Sequence, residues 1–146
     1  MKLTEHFTLE ELIASSTAKA KGIDNTPNEE EQAHLLQLCQ QILEPIRKIY
    51  GQPIKVTSAF RCKKLNTAVG GAKTSQHLTG CAADIKATKT TNAVLFHCIK
   101  QLIEQKKIFV GQLIWEYGTK NEPNWVHVSM PRVGKPNNQI LYLYKK

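Results

Sequence analysis

The longest periodic segment of the chain runs from position 28 to 51 and has its apolar residues on one stripe. The apolar positions recur every three or four residues, at Leu35, Leu38, Ile42, Ile46 and Ile49. Acidic residues follow Asn28 in the first turn, where they suit the positive end of the helix dipole, and Gly51 provides a stop. We predict an amphipathic helix that is bent at Pro45, because proline lacks an N–H group and its ring crowds the preceding turn.

Two further segments have helical patterns. Thr8 is followed three residues later by Glu11, the spacing of a capping box, and Gly22 and the turn at 25–27 close this first helix. Residues 92–107 repeat apolar side chains at helical spacing. Each of these segments predicts one helix.

Five short segments are typical of strands. They are residues 53–61, where Ile54 and Val56 alternate with polar residues in a short strand that leads into a loop, and residues 81–87, 111–117, 124–130 and 139–145. Turn residues at 118–124 predict that the third and fourth strands form an antiparallel hairpin. The segment that carries Arg61 and Asn66 and the glycine-rich stretch 68–80 are predicted to be loops.

These elements predict an α+β fold in which helices flank an antiparallel sheet of short strands. At 146 residues and 41% hydrophobic content, the chain can bury a core as a single domain over 1–146. Its cysteines, Cys39, Cys62, Cys81 and Cys98, form no CxxC pair. We therefore expect reduced thiols rather than a disulfide framework.

The beginning of the chain and its charge limit the function classes. The opening "MKLTEHFTLEELIASS" carries acidic residues and no long apolar run, so it predicts neither a secretory signal nor a membrane span. We expect synthesis in the cytoplasm. The net charge of +8 favours polyanionic partners, such as nucleic acid or an anionic cell envelope, and does not choose between them.

The stretch "TSQHLTGCAADI", residues 74–85, contains the candidate chemistry. It embeds Asp84 among apolar residues, where an unpaired carboxylate is costly. Together with His77 and the mid-strand His127, this acid fits a catalytic zinc site, in which two imidazoles and one carboxylate leave a fourth position open for water. A histidine within a strand is, however, more often a hydrogen-bonded residue than a ligand, so these residues alone leave both interpretations open.

Several linked motifs resemble a known family. "SAFRCKKLN", "VGGAKTSQHLTGCAADI", "LIWE" and "WVHVS" follow one another between about Ile54 and Ser129. They resemble the zinc-dependent peptidases of the D-alanyl-D-alanine carboxypeptidase type, family M15, and especially its short phage and bacterial members. The family pattern Ser-x-His-x-x-Gly-x-Ala-x-Asp is matched from Ser75 to Asp84, and Trp-x-His is matched by Trp125 and His127.

The resemblance implies a fold, a cofactor and a substrate. It implies a Hedgehog/DD-peptidase-like domain in which His77, Asp84 and His127 bind Zn²⁺. The implied substrate is a peptidoglycan stem peptide, cut by a D,D- or L,D-carboxypeptidase or endopeptidase like those of phage endolysins. The implied place of action is the cell wall.

The resemblance also implies roles for residues around the metal. Family members use an arginine in the position of Arg61 to hold substrate and to polarise the peptide carbonyl, a role that suits the forked donors of a guanidinium group. Its alternative role is a surface salt bridge. Ser75 and Trp125 are expected to contact substrate beside it.

One position departs from the family pattern. Many relatives have an acid three residues before the last histidine as general base, but this chain has Asn124, and an amide cannot accept the proton. We predict Glu116 as the base, because it ends the strand that pairs with the His127 strand. Glu122, in the turn beside Pro123, is the weaker candidate, and Glu116 could instead be a solvated acid at the strand end.

Two other functions compete with a zinc peptidase. The Asn124 departure is compatible with a catalytically inactive module that binds metal or peptidoglycan on the same fold. A nucleic-acid binder would fit the basic charge, but the lysines are dispersed and no recognised nucleic-acid motif is present. We therefore expect a monomer that binds a peptidoglycan peptide, without a nucleic-acid partner or a membrane span.

Overall fold

The structure is a computed structural model, and it describes residues 1–144. In this range the α-helices are α1 (Leu9–Ile13), α2 (Ser16–Lys21), α3 (Glu29–Leu38), α4 (Glu44–Tyr50), α5 (Lys63–Ala68) and α6 (Asn92–Glu104). The strands are β1 (Lys2–Thr4), β2 (Phe7–Thr8), β3 (Ile54–Ser58), β4 (Ala82–Ala87), β5 (Gln112–Glu116), β6 (Trp125–Ser129) and β7 (Gln139–Leu143). A π-helical turn (Cys39–Leu43) joins α3 to α4, and a 3₁₀ helix (Gln76–Thr79) precedes β4. The α+β class is confirmed.

The predicted helix starts are correct, but the first helix is interrupted. The Thr8 hydroxyl accepts the Glu11 N–H, and the Glu11 carboxylate accepts the Thr8 N–H at 2.8 Å. Asn28 caps α3 in the same reciprocal way. Ala14 is extended, with φ −65° and ψ 139°, so α1 ends there and the Ser15 side chain caps a second helix. The prediction of one helix was wrong because a serine cap competes with helix continuation.

A π-helical turn lies immediately before Pro45, the position at which a bend was predicted. The Glu44 N–H donates to the Cys39 carbonyl five residues earlier, so the backbone is widened just before the proline. This widening accommodates a ring that would otherwise press on the preceding turn. Gly51, at φ +77°, ends α4 in the left-handed region, as the sequence predicted.

Five strands form the main sheet in the order β3-β4-β6-β5-β7. The pairs β3/β4, β4/β6 and β5/β6 are antiparallel, which confirms the predicted hairpin, whereas β5/β7 is parallel. The all-antiparallel prediction was therefore wrong at the β7 edge.

The Gly111 N–H donates to the Ser129 carbonyl, so β6 ends where β5 begins. The loop after β6 brings Gln139 back to that end, and β7 must run in the same direction as β5. Lys145, the last residue of the predicted strand, lies outside the described residues.

Two predicted loops contain short helices. Helix α5 begins after Cys62, whose sulfur accepts the Leu65 N–H at 3.4 Å. Cysteine is not among the preferred N-cap residues, so no local signal predicts that a helix starts there. The predicted glycine-rich loop contains the 3₁₀ helix, which the Ser75 hydroxyl caps by accepting the His77 N–H.

The two faces of the main sheet differ in chemistry. On one face the strand side chains pack into the helical core, where Leu35, Ile85, Leu95, Phe96, Leu113 and Val126 are almost completely buried. The alternate positions of the central strands, including Asp84 and His127, project from the opposite face. Apolar burial against α6, and against α1 at β3, therefore makes the sheet a rigid base for polar residues. No helix within residues 1–144 has the length and apolarity required to cross a bilayer.

Candidate metal centre and substrate cleft

A cleft of about 740 Å³ lies on the polar face of the sheet. The residues that line it include His77, Asp84, Glu116 and His127, together with Arg61. The folded chain therefore brings together segments that are far apart in sequence. These are the residues that the motifs singled out.

Strand pairing places two of the candidate ligands side by side. Asp84 on β4 and His127 on β6 are direct cross-strand partners, and His127 Nδ1 lies 3.0 Å from Asp84 Oδ1. His77 reaches the same oxygen from the 3₁₀ helix, with its Nε2 at 3.4 Å. All three side chains are buried, and their candidate ligand atoms lie within 4.8 Å of one another.

A backbone carbonyl determines which nitrogen of His77 faces the cleft. His77 Nδ1 lies 2.6 Å from the carbonyl oxygen of Ala59. A carbonyl oxygen only accepts hydrogen bonds, so Nδ1 carries the proton and donates it there. In the neutral ring, the lone pair is then on Nε2, which faces Asp84. Fixing a histidine tautomer in this way is typical of metal ligands.

The distances between these atoms fit a tetrahedral ion. Ligands at about 2.0–2.2 Å from zinc in a tetrahedral arrangement lie about 3.3–3.6 Å from one another. The separations of 3.4 Å and 3.0 Å from Asp84 Oδ1 are within a few tenths of an ångström of that range. Two imidazoles and one carboxylate are also a ligand set that zinc accepts. The residues present therefore fit the metal that the family motifs imply.

The ionised form of Asp84 is stabilised by its neighbours. Burial raises the pKa of this carboxyl, but hydrogen bonds from His127 and His77 and the charges of those rings outweigh burial. The pKa of Asp84 therefore lies well below its usual range. Oδ2 accepts a hydrogen bond of 3.3 Å from Arg61, which leaves Oδ1 for the histidine side.

Arg61 is held by protein groups at each of its side-chain nitrogens. Nε donates to Ser58 Oγ at 3.0 Å, and the two terminal nitrogens donate to Asn66 Oδ1 and Asp84 Oδ2, each at 3.3 Å. A guanidinium group has five N–H donors, so two remain for a ligand. A β-carbon at Gly71 would lie 2.1 Å from Asn66 Oδ1 and 3.0 Å from an Arg61 nitrogen, so this close packing requires glycine.

Glu116 lies beside the histidine of β6. Its Oε1 is 3.8 Å from His127 Nδ1, and the half-buried side chain lines the cleft. Burial raises the pKa of Glu116, and the charge of Asp84 adds to this effect, whereas His127 and Arg61 oppose it. This carboxylate therefore has both the position and the environment of a group that exchanges protons in the cleft.

Glu122, the alternative base, binds the start of a helix instead of the cleft. Its two carboxylate oxygens accept the N–H groups of Asn92 at 2.9 Å and Ala93 at 2.8 Å, at the start of α6. It is not among the residues that line the cleft. Asn124 is exposed and also lies outside the lining. Glu116 is therefore the better placed of the two acids.

The predicted substrate contacts line the cleft. Ser75 lines the cleft. Its hydroxyl also accepts the His77 N–H at 3.1 Å and in this way caps the 3₁₀ helix. Trp125 forms one wall and packs edge-to-face on Tyr117, with ring centroids 5.4 Å apart. Tyr117 has a positive φ of 57°, which is uncommon for a tyrosine and marks local strain beside the site.

Several cleft and support residues were missed by the sequence analysis. Asn25 holds the Arg61 segment, because its amide donates to the Phe60 carbonyl at 3.0 Å and its oxygen accepts the Cys62 N–H at 2.7 Å.

Lys86 and Arg132 line the cleft. The only available signal for Lys86 was strand alternation, which places it on the same face as Asp84. Asn25 and Arg132 gave no signal, because their positions depend on long-range folding.

Comparison with known proteins agrees with these motifs. The family model described as Peptidase M15 matches residues 5–129, which is most of the chain. No curated protein gives a significant match. The family is generally zinc-dependent. The match confirms the family that the motifs of the chain predicted.

Proposed function

The chain belongs to the M15 family and is therefore a peptidase, and we propose that it uses zinc to hydrolyse stem peptides of bacterial peptidoglycan. The observation that carries this proposal is the convergence of His77, Asp84 and His127 on one point of an open cleft. Glu116 and Arg61 beside this point supply the further groups that peptide hydrolysis needs.

The proposed ligands are His77 Nε2, Asp84 Oδ1 and His127 Nδ1. Zinc, when bound, supplies Lewis acidity, which lowers the pKa of a water molecule to about 7 and polarises a carbonyl. Asp84 can serve as a ligand through Oδ1 because Arg61 donates to its other oxygen, Oδ2, and so stabilises the carboxylate charge. The Ala59 carbonyl keeps the His77 ring in the orientation that presents Nε2.

Glu116 is proposed to move the proton. Its carboxylate accepts a proton from the water that attacks the peptide carbonyl, and it can return this proton to the leaving nitrogen. Arg61 offers its two remaining N–H groups to the oxygen that gains negative charge. Trp125 and Ser75 border the space in which the substrate backbone must lie.

The family resemblance and the charge of the chain support the proposal of a cell-wall substrate. Short relatives of this type cleave cell-wall peptides, and a net charge of +8 favours contact with anionic wall polymers. We therefore place the activity of the protein at the cell wall. The Asn124 departure makes an inactive wall-binding module the second candidate.

Hydrolysis of purified peptidoglycan by the zinc-loaded chain tests the proposal. We expect newly released amino groups, loss of release on chelation and recovery when zinc is restored. Glu116→Gln should lower kcat by about 100-fold or more, the usual contribution of a general base. Glu122→Gln is the matched control and should retain kcat, although its cap on α6 is weakened. Wall binding without any release by the unmodified chain would instead support the inactive module.

A further inference from the structure

Lys86 occupies the end of the cleft at which β6 begins. Alternate side chains of a strand share a face, so Lys86 projects from β4 on the same side as Asp84, and it lines the cleft. Ile85 pairs with Val126, so the next residue along β4 lies towards the first residue of β6. Within residues 1–144, no carboxylate forms an ion pair with the Lys86 ammonium.

A second lysine increases the positive charge at this end. Lys55 on β3 is the direct cross-strand partner of Lys86, so both side chains project from the same face, and both are exposed. Like charges directly opposite each other destabilise a sheet. A negatively charged group of a ligand would relieve this repulsion. The pair therefore favours an anion at this end of the cleft.

Arg132 occupies the opposite end. Strand β6 ends at Ser129, and Arg132 follows three residues later in a loop that lines the cleft. The loop is anchored, because Gln76 Nε2 donates to the Met130 carbonyl at 2.8 Å. Arg132 is half-buried, and in the described part of the chain its guanidinium contacts no carboxylate.

The other charged groups that line the cleft, Arg61, Asp84 and Glu116, are those assigned to the proposed reaction itself. Arg61 contacts Asp84 at 3.3 Å, and Glu116 faces His127 at 3.8 Å. Lys86 and Arg132 are thus cations available to a ligand, one on each side of the proposed reaction centre. Strand β6 runs between the two ends, and its first and last residues, Trp125 and Ser129, are about 13 Å apart. This distance is the length of about four residues of an extended peptide.

We propose that the cleft selects acidic peptides that carry one carboxylate on each side of the scissile bond. Lys86 binds one of these carboxylates, and Arg132 binds the other. A forked guanidinium and an ammonium both form charge-assisted hydrogen bonds with carboxylates, and a peptide that bridges them is held across the reaction centre. The inference rests on the proposed function and adds the substrate class to it.

Binding of a labelled synthetic stem peptide to the full chain tests this inference. The peptide is prepared in four forms. One is the free acid, and one has all its carboxylates converted to carboxamides. In the other two, only the carboxylates of the amino-terminal half or only those of the carboxy-terminal half are converted. Fluorescence anisotropy is measured with zinc-loaded protein and after chelation, because zinc itself attracts carboxylates. Full amidation should weaken binding to both forms, on the order of 10-fold per carboxylate.

The variants Lys86→Gln and Arg132→Gln should each abolish the preference for a free carboxylate over a carboxamide. The preference should be lost in one half of the peptide for Lys86→Gln and in the other half for Arg132→Gln. Lys89→Gln and Lys135→Gln are matched controls, because each is an exposed lysine three residues after the residue it controls for and lies outside the lining of the cleft. The controls should bind like the unmodified chain, and thermal melting should show that all four variants fold. The inference is overturned if Lys86→Gln and Arg132→Gln keep the preference for the free acid, or if the controls lose it equally.

Hydrolysis separates this inference from the proposed function. If the zinc-loaded protein cleaves acidic and amidated peptides with equal kcat/KM, charge selection fails while the peptidase function stands. If the protein binds acidic peptides selectively but hydrolyses none of them, charge selection stands while the proposed function fails.

Discussion

Asp84 offers its two carboxylate oxygens to different partners. Oδ1 faces His77 and His127, and Oδ2 accepts from Arg61. One buried acid therefore connects the proposed metal ligands to the proposed substrate arginine. These four residues could be predicted from the sequence because they stand within motifs. The contact of Asn66 with the guanidinium could not be predicted in this way, because it depends on how residues 70–72 fold back onto the Asn66 side chain.

Replacing Asn66 with alanine should disturb catalysis through Arg61. The change removes the acceptor of one Arg61 nitrogen and the donor to the Ala72 carbonyl. We expect kcat to fall about 10-fold with little change in KM, and stability to fall by about 1–3 kcal/mol. Steady-state kinetics and denaturant unfolding measure both effects. Thr67→Ala on the same helix is the control, and a loss of stability with unchanged kcat would show that Asn66 only supports the fold.

The N-terminal hairpin of β1 and β2 illustrates what element-level prediction missed. Capping boxes are local signals, so the starts of α1 and α3 could be predicted from a few neighbouring residues. The hairpin and the parallel pairing of β7 depend instead on distant partners. The hairpin is tied to the start of α4 by His6, whose backbone N–H and Nδ1 lie 2.8 Å and 2.6 Å from the two oxygens of the Glu44 carboxylate.

The link between His6 and Glu44 should make stability depend on pH. Burial raises the pKa of Glu44, but hydrogen bonds from the His6 side chain and backbone outweigh it, so the folded-state pKa is lowered. A lowered pKa means that the carboxylate stabilises the fold above the unfolded value of about 4.3, and that this contribution is lost as the pH falls through the folded pKa.

Denaturant unfolding of Glu44→Gln across this pH range measures the contribution. At pH 7 the variant should be less stable than the unmodified chain by about 1–2 kcal/mol, and the difference should shrink below about pH 4.3. Glu5→Gln is the control, because Glu5 is exposed and lies 3.9 Å from Lys48, and its stability change should be near zero. A difference that is constant from pH 7 to pH 3 would contradict this account.

At the scale of the whole molecule, positive charge and the cleft have separate effects. The net charge of +8 acts over the length of an anionic polymer, whereas the proposed metal ligands act at one point. The fold class could be predicted from the periodicity of apolar residues, and the candidate central site could be predicted from the linked motifs. It did not predict the aromatic wall of Tyr117 or the two cationic ends of the cleft, which exist only once the strands have paired.

Salt should separate wall binding from hydrolysis. Raising the ionic strength from about 0.05 M to 0.5 M screens exposed charges, so cosedimentation of the protein with intact cell walls should fall. Hydrolysis of a short peptide without carboxylates should change little, because its reaction depends on groups inside the cleft. Wall binding that does not respond to salt would show that the basic surface has no part in it.

Zinc binding by the purified chain, measured by titration calorimetry after chelation and dialysis, tests the central claim most directly. The account predicts one zinc per chain and a loss of affinity of about 100-fold or more in His77→Ala and in Asp84→Asn, since each removes a ligand atom. His97→Gln, which alters an exposed histidine on α6, should bind zinc like the unmodified chain. An unmodified chain that takes up no zinc, or a His77→Ala variant that binds it with unchanged affinity, would contradict the account.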